Sequence, residues 1–456
     1  MNYIFLISIV LKGIGAVLEV LLQILITRKL GVAEYGLYST WINAADLIFW
    51  IFFSGLVKCN TFYISDKNTS IKKFRWKYYL RYVFPVIVLT SAISIIFGGR
   101  FYILVPCITV LELLVMDNSS EMIARGQATN AIIGEYVLGR LFLLIGAAVL
   151  MHTGHLNFYA LIVLYLVQYI CILFFFAVRK RKEDLYDVSE QISIKKWGIY
   201  QKADILQAMI GQMPIVLQYF FGGAFEAGVV SIVMLVKKLV NFISGPTAKI
   251  FLPEFSRFYH EGKKEKIRDS FESIMRMQML FVSPMAVVLI GFPDVVLSIL
   301  AKELLVYKNL FVLCSVVFLV AATLGPCGGL MQMTDNEKKD NDYREIAMVI
   351  MLLVMVLFSK DSLFVLYGLC IQTVIEAGGK YFFVCRWMEQ APVTMKQYIK
   401  WWCLPLAAIA LAKILALEKS VMAMIFLSGM VFAVVFIQEW KNEKSAVRMI
   451  ADRKKE

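Results

Sequence analysis

Apolar segments long enough to cross a bilayer follow one another along almost the whole chain. About 20 consecutive apolar residues cross a ~30 Å hydrocarbon core as one helix. The pattern predicts about fourteen such helices with both chain ends on the same side. They are expected at 4–26, 37–57, 80–97, 101–118, 131–151, 157–178, 199–221, 228–251, 277–299, 304–330, 344–358, 362–385, 399–416 and 419–438.

Composition agrees with this pattern. Hydrophobic residues make up 60% and charged residues 18% of the chain, and the mean hydropathy is +0.71. Soluble proteins carry about 25% charged residues, so an all-α, multi-pass membrane protein is predicted. The first apolar segment contains Lys12 and Glu19 and lacks a small-residue cleavage site, which favours a spanning helix over a removable signal peptide.

The basic residues are unevenly distributed between the two sets of loops. Of the 47 Lys and Arg residues, about 33 lie on the predicted face that carries both termini and about 8 on the opposite face. Cytoplasmic loops are rich in Lys and Arg, so both termini are predicted to lie in the cytoplasm and the protein in the cell membrane. The net charge of +13 is therefore interpreted as an orientation signal and not as a nucleic-acid surface.

Two short stretches in different halves of the chain share one pattern, "RKLGVAEYGLYSTW" at 28–41 and "FGGAFEAGVVSIV" at 221–233. With an offset of 192 positions, the matched residues are Gly31 with Gly223, Glu34 with Glu226, and Gly36 with Gly228. Glycine suits a tight turn, and a carboxylate near a helix start favours the positive end of the helix dipole. The recurrence indicates an internal duplication.

A duplication with six helices in each copy predicts two lobes of the same orientation, which transporters use to enclose a site between them. The expected organisation is an N-terminal lobe at 1–178, a basic cytoplasmic linker at 179–198 and a C-terminal lobe at 199–390. Two extra helices and a basic tail follow at 391–456.

Polar residues recur on one side of the first helix of each lobe. The two stripes are Lys12, Gly15, Glu19 and Gln23, and Asp204, Gln207, Gly211, Pro214 and Gln218. An ionisable group costs about 2.5–3.5 kcal/mol at the centre of a spanning helix, so these groups should face protein or water. Two interpretations remain open: ion pairs within each lobe (Lys12 with Asp46, Asp204 with Lys238), or the lining of a water-filled cleft.

Three segments resemble a known transporter family. They are "RKLGVAEYGLYSTW", the glycine that follows in "IFFSGL", and "IFLPEFSRFYHEGKKEKIRDSF" at 250–271. They are similar to the Wzx-type oligosaccharide flippases for O-antigen and capsule repeat units, in the MATE-like multidrug/oligosaccharidyl-lipid/polysaccharide exporter superfamily. The resemblance implies two six-helix lobes around a cleft lined by the first two helices of each lobe. It also implies a polyprenyl-pyrophosphate-linked oligosaccharide as cargo.

Candidate site residues follow from that cargo. A pyrophosphate needs cations, and a sugar needs hydrogen-bonding side chains. The predicted substrate-binding residues are Lys12, Arg28, Lys237, Lys238, Arg140, Asn43, Gln23 and Gln207. The predicted coupling or gating residues are Glu19, Asp46 and Asp204, which could exchange H⁺ or Na⁺. Arg140 could instead pair with Glu135 on its own helix, and Gln372, Glu376 and Lys380 fit an intrahelical set better than a site.

No other cofactor, metal site or catalytic residue is predicted, because the chain has neither a phosphate-binding glycine loop nor a CxxC pair. A multidrug or cation antiporter and a peptidoglycan-precursor flippase remain alternatives, and a membrane polysaccharide polymerase is less favoured because the outer loops are short. The expected partners are the lipid-linked oligosaccharide, the bilayer and other polysaccharide-assembly membrane proteins. Neither a nucleic acid nor a second copy of the chain is expected.

Overall fold

The structure is a computed structural model, and it describes residues 3–57, 69–98, 103–179, 186–187 and 194–442. Two compact units divide the chain, Met1–Ser231 and Ile232–Glu456. The described residues are helical, as the sequence predicts, apart from turns and one pair of two-residue parallel strands, β1 (Thr69–Ser70) and β2 (Tyr186–Asp187). The predicted lobe boundaries stay a prediction.

Helices α1 to α8 form most of the first unit. Their bounds are α1 Tyr3–Leu30, α2 Val32–Phe52, α3 72–98, α4 Leu104–Ala124, α5 Ala128–His152, α6 Phe158–Arg179, α7 Ile194–Gly211 and α8 Met213–Gly222. α3 and α5 each contain a π-helical turn, at Tyr79–Val83 and Ile133–Leu138. The unit also contains the first residues of α9 (Ala224–His260).

The second unit holds the rest of α9 and the helices that follow. They are α10 Lys264–Gly291, α11 Pro293–Leu300, α12 Lys308–Thr323, α13 Cys327–Met333, α14 Glu337–Leu357, α15 Phe364–Trp387, α16 Met395–Ile414 and α17 Val421–Asn442. A 3₁₀ turn, Lys302–Tyr307, connects α11 and α12. α16 starts with a capping box in which Thr394 and Gln397 exchange hydrogen bonds, so the helix start is fixed by the sequence itself.

Every predicted span overlaps a helix, but the number of helices that cross a membrane stays a prediction. Within the described ranges, six helices have both the length and the apolarity for crossing. A seventh results if α7 and α8, which meet at a bend of 41°, form one broken span. Large apolar side chains such as Phe174 and Val178 on α6 are more than half exposed, as is usual for helices that face lipid.

Single glycines separate the helices at the repeated stretches. Gly31 (φ +88°) lies between α1 and α2, and Gly223 (φ +108°) lies between α8 and α9. A side chain strains this backbone conformation, which explains glycine at both positions. The second helix begins at Val32 rather than near residue 37, so Glu34 lies in its first turn, because a single left-handed residue suffices to reverse the chain.

The second glycine of each repeated stretch permits a backbone contact between α2 and α9. A Cβ on Gly36 would overlap the Ala224 carbonyl oxygen and the Gly228 backbone, and a Cβ on Gly228 would overlap the Val32 carbonyl oxygen. Val32 and Ala224 are also 192 positions apart, so the contact is reciprocal, like the self-complementary contacts of two-fold dimers. Reciprocity of this kind supports the predicted duplication.

The end of α2 is held by one glutamine from α7. Gln201 Nε2 donates to the carbonyl oxygens of Trp50 and Ile51 at 2.7 and 2.6 Å, and Gln201 Oε1 accepts from Gly55 N at 2.7 Å. A helix end leaves carbonyl groups without helical partners, and leaving them unpaired inside a protein is costly. The buried amide of Gln201 therefore supplies the hydrogen bonds that a further turn of α2 would have supplied.

Candidate functional site

The polar stripe of α1 faces the π-helical turn of α5. A Cβ on Gly15 would lie only 2.5 Å from the Tyr136 carbonyl oxygen, so glycine allows the two helices to approach closely. Lys12 Nζ then lies 5.2 Å from the centre of the Tyr136 ring, within the range of a cation–π contact. π-Helical turns redirect side chains and are common at functional sites.

Arg140 joins α5 to α1. Its Nη2 and Nε lie 3.0 and 3.1 Å from Glu19 Oε2, which makes a two-point ion pair. Its Nη1 donates to the backbone carbonyl of Glu135 at 3.2 Å. Arg140 thus meets Glu135 through the main chain, while its carboxylate partner is Glu19 on another helix.

A pair of carboxyl groups lies deeper in the first unit. The Asp46 carboxyl group on α2 is an electrostatic neighbour of Glu112 on α4, within hydrogen-bonding reach, and Glu112 is 3% exposed. A hydrogen bond between two carboxyl groups needs a proton on one of them, because two carboxylates offer only acceptors. The hydroxyls of Tyr165 and Tyr169 on α6, 3.2 Å apart, are electrostatic neighbours of this pair.

Glu112 is a residue that sequence reasoning missed. The available signal was a carboxylate in the middle of the predicted span 101–118, at a position where charge is costly. Its Oε2 atom is buried and accepts no hydrogen bond from a donor among the described residues. The Asp46–Glu112 pair is therefore a place where one proton can be bound or released.

The other predicted residues of the first unit are dispersed. Asn43 is buried and donates to the Ser39 carbonyl oxygen at 2.7 Å, so its amide is used within α2. Arg28 is exposed at the end of α1, and Gln207 is exposed on α7. Gln23 is half-buried on α1, and Asp204 on α7 is 5% exposed.

A second charged group of the first unit joins α3 to α4. Arg75 Nε lies 3.0 Å from Asp117 and its Nη1 2.9 Å from Glu121, which also pairs with Arg125. The Tyr79 hydroxyl donates to Asp117 at 2.7 Å. The two acids and two arginines balance, so this group is more suited to fixing the two helices than to binding an ion.

The second unit contains a chain of alternating charges on α14 and α15. Lys380, 4% exposed, lies 2.7 Å from Asp340 and 2.6 Å from Glu376. Arg344 contacts the same two carboxylates at 3.2 and 3.5 Å. The predicted intrahelical set of Glu376 and Lys380 is present, and α14 extends it into a four-residue network.

Lys237 on α9 adds a fifth charge to this chain. Gln372 donates through Nε2 to Glu376 and accepts from Lys237 Nζ at 3.3 Å. Lys237 also lies 5.4 Å from the centre of the Phe318 ring. The chain thus holds three cations and two carboxylates, and Lys237 is the cation whose contacts are an amide and a ring. Its neighbour Lys238 is exposed.

Metal binding finds no support in the described ranges, where no group of three or more His, Cys, Asp or Glu side chains could hold an ion. The Cys314 and Cys370 sulfurs lie 3.4 Å apart as free thiols on α12 and α15.

The fold is similar to that of solved transporters, and six helices of the described ranges are long and apolar enough to cross a membrane. The lipid II flippase MurJ, in an inward closed conformation, matches with a TM-score of 0.68 and 11% identity over 97% of this chain and 99% of that one. An inward-facing multidrug resistance MATE family transporter matches with a TM-score of 0.63 and 13% identity over 84% and 98%. A MOP superfamily transporter from Pyrococcus furiosus matches with a TM-score of 0.53 and 13% identity over 86% and 96%.

No protein-family model and no curated protein sequence matches the chain. The three solved structures named above are described as transporters or a flippase, and the absence of enzymatic activity stays a prediction for this chain.

Proposed function

We propose that the protein is a flippase that carries polyprenyl-pyrophosphate-linked oligosaccharide repeat units across the cytoplasmic membrane by alternating access, for O-antigen or capsule synthesis. The observation that carries the proposal is Lys237, a cation whose direct contacts among the described residues are the Gln372 amide oxygen and the Phe318 ring, in a fold similar to that of solved transporters. The resemblance of the 28–41 and 250–271 segments to oligosaccharide flippases supports the same cargo.

Lys237 suits a diphosphate because its present contacts bind an ammonium group more weakly than a phosphate oxygen would. An amide oxygen and an aromatic face stabilise an ammonium group, but a phosphate oxygen forms a shorter, charge-assisted hydrogen bond. The Asp340, Arg344, Glu376 and Lys380 network holds Gln372 through Glu376, so Gln372 keeps the ammonium group in place before cargo arrives. Lys12, Arg28, Arg140 and Lys238, with the polar Asn43, Gln23 and Gln207, complete the proposed cargo contacts.

The second candidate is a peptidoglycan-precursor flippase of the same fold. The observation that favours it is the MurJ match over 97% of the chain. A multidrug or cation antiporter is a weaker fit, because a cationic substrate would be repelled by the surplus positive charge at Lys237.

We propose that transport is coupled to protons through the Asp46–Glu112 pair, with Glu19 and Asp204 in supporting roles. One proton can satisfy two neighbouring carboxyl groups by allowing a hydrogen bond between them, whereas Na⁺, a hard cation, is held by several oxygens. Uptake of labelled cargo into inverted vesicles should follow an imposed pH gradient and should not respond to a sodium gradient. Transport that ignored the pH gradient would remove this part of the proposal.

The cargo is tested in cells that lack the protein. They should accumulate a polyprenyl-pyrophosphate-linked oligosaccharide, measurable by mass spectrometry of the lipid extract. Lys237→Gln should lower export about tenfold, because it removes one charge-assisted phosphate contact. Lys413→Gln, which neutralises an exposed lysine of α16, is the matched control and should leave export unchanged. Accumulation of a peptidoglycan precursor instead would favour the second candidate, and normal export by Lys237→Gln would remove Lys237 from the site.

The same proposal includes cytoplasmic termini, a location in the cell membrane and a monomeric protein that works beside other polysaccharide-assembly proteins.

A further inference from the structure

Helices α16 and α17 enclose a cleft with α10 in the second unit. Its volume is about 720 Å³, within the range of ligand-binding pockets. The α10 side of the cleft consists of residues spaced three or four apart, so one face of that helix forms a wall. The cleft contains none of the residues assigned to cargo or coupling above, and its occupant is therefore a separate question.

The cleft is charged at one end and apolar at the other. The starts of α10 and α16 and the end of α17 supply Glu272, Arg276, Lys400 and Glu439. Farther along the helices the walls are Met279, Leu404 and Val435. The charged end is the one that the sequence predicts at the cytoplasmic membrane border. A gradient from charge to hydrocarbon over two or three helical turns, about 10–15 Å, matches the headgroup and upper acyl chains of a lipid.

The charged end of the cleft carries two cations and two carboxylates. Lys400 is exposed and forms no ion pair among the described residues, and Arg276 reaches Glu272 only at 3.8 Å. A phosphodiester fits between Lys400 and Arg276, and a primary ammonium group can donate to Glu439 or Glu272. Because the two signs balance, a zwitterionic headgroup suits the cleft better than an anionic one.

A buried hydroxyl at the apolar end gives an independent indication of a ligand. Ser283 lines the cleft, is fully buried, and its Oγ has no hydrogen-bond partner in the described part of the chain. A buried hydroxyl donor without an acceptor is destabilising, because it has lost its hydrogen bonds to water and gained none in return. It lies about two turns beyond Arg276, on the side where the ester carbonyl groups of a lipid would follow its phosphate. An ester oxygen would satisfy this hydroxyl.

We propose that this cleft binds one zwitterionic aminophospholipid of the phosphatidylethanolamine type, with its phosphate between Arg276 and Lys400, its ammonium group at the Glu272 and Glu439 carboxylates, and an ester oxygen at Ser283. The site binds a bilayer lipid, and it does not depend on which cargo the protein moves.

The test is native mass spectrometry of the full-length protein with equimolar phosphatidylethanolamine, phosphatidylcholine and phosphatidylglycerol that carry the same acyl chains. Phosphatidylethanolamine should be retained at least about fivefold more than phosphatidylcholine, because methylation removes the ammonium donors. Lys400→Glu should lower its retention about tenfold. Ser283→Ala should lower it about twofold to fivefold through loss of one neutral hydrogen bond.

Lys396→Glu is the matched control. It makes the same charge change one turn earlier on α16, at an exposed position outside the cleft, and should leave retention unchanged. Equal retention of the three lipids, preference for phosphatidylglycerol, or equal effects of the two lysine variants would overturn the proposal. Each variant is also compared in export, and a normal export rate with lost lipid retention would leave the flippase proposal intact while confirming the lipid site.

Discussion

Two sets of carboxyl groups, one in each unit, have different partners. In the first unit, the Asp46 and Glu112 carboxyl groups are neighbours, and a proton on one of them would allow a hydrogen bond between them. In the second unit, Asp340 and Glu376 are held by Lys380 and Arg344, and one further cation remains at Lys237. The first arrangement suits the exchange of a proton between neighbouring carboxyl groups. The second places the Lys237 ammonium group where an anion could pair with it.

Lys380→Met should have the largest effect on stability. It removes the buried cation between Asp340 and Glu376 and leaves the two carboxylates with Arg344 alone. Breaking a buried ion pair from one side costs about 3–5 kcal/mol. The free energy of unfolding in mixed micelles should fall by that amount. A loss below about 1 kcal/mol would show that the network contributes little.

The same Glu→Gln change should lower the free energy of unfolding by different amounts in the two units. Glu376→Gln removes the negative charge that Lys380 and Arg344 share, and should cost about 1.5–3 kcal/mol. Glu112→Gln should cost less than about 1 kcal/mol, because its amide can donate to Asp46 in place of the shared proton. The free energies of unfolding of the two variants, measured under the same conditions, test this difference. Equal losses would show that the two sets of carboxyl groups are stabilised in the same way.

A glycine pair compares a crowded helix crossing with an open one. Gly36→Ala places a methyl group against the Ala224 and Gly228 backbones and should destabilise by about 1–3 kcal/mol. Gly378→Ala on α15 makes the same change where nothing lies within 4 Å, and should stabilise by about 0.5–1 kcal/mol. Shifts of the melting temperature in opposite directions are expected. A shift of the same sign for both variants would mean that the α2 and α9 backbones leave room for a methyl group at Gly36.

The smallest effect is expected at an exposed ion pair. Lys264 Nζ lies 3.0 Å from Glu389 Oε1, and both side chains are more than half exposed. Lys264→Ala should change the unfolding free energy by less than about 0.5 kcal/mol, because solvent screens the pair. This variant is the exposed reference for the buried substitutions. A loss of unfolding free energy as large as that of Lys380→Met would show that burial does not determine how much an ion pair stabilises the protein.

The helices and the polar face of α1 could be predicted because both depend on spacing along one chain segment. Lys12, Gly15 and Glu19 recur every three or four residues, and all three meet α5. The partners could not be predicted in the same way. Spacing does not give the rotation of a neighbouring helix, so the choice of Glu19 for Arg140 and of Glu112 for Asp46 needed the tertiary packing.

The break in the predicted span 199–221 was not predicted, although its signal is in the sequence. The span is two helices that meet at Gln212 with a bend of 41°, between Gly211 and Pro214. The turn at Gly31 is shorter than the glycine spacing suggested. Apolar periodicity reports which faces are buried and carries little information about single residues where the helix hydrogen bonds stop.

Gln201 gives the first unit a mechanical property. One side chain holds three main-chain groups of a segment about 150 positions earlier in the chain. A tilt of α7 therefore pulls directly on the tip of α2, and the two must move together or lose all three hydrogen bonds at once. Motion at the end of α2 is thus expected to be stepwise rather than gradual, with the three Gln201 hydrogen bonds either all formed or all broken.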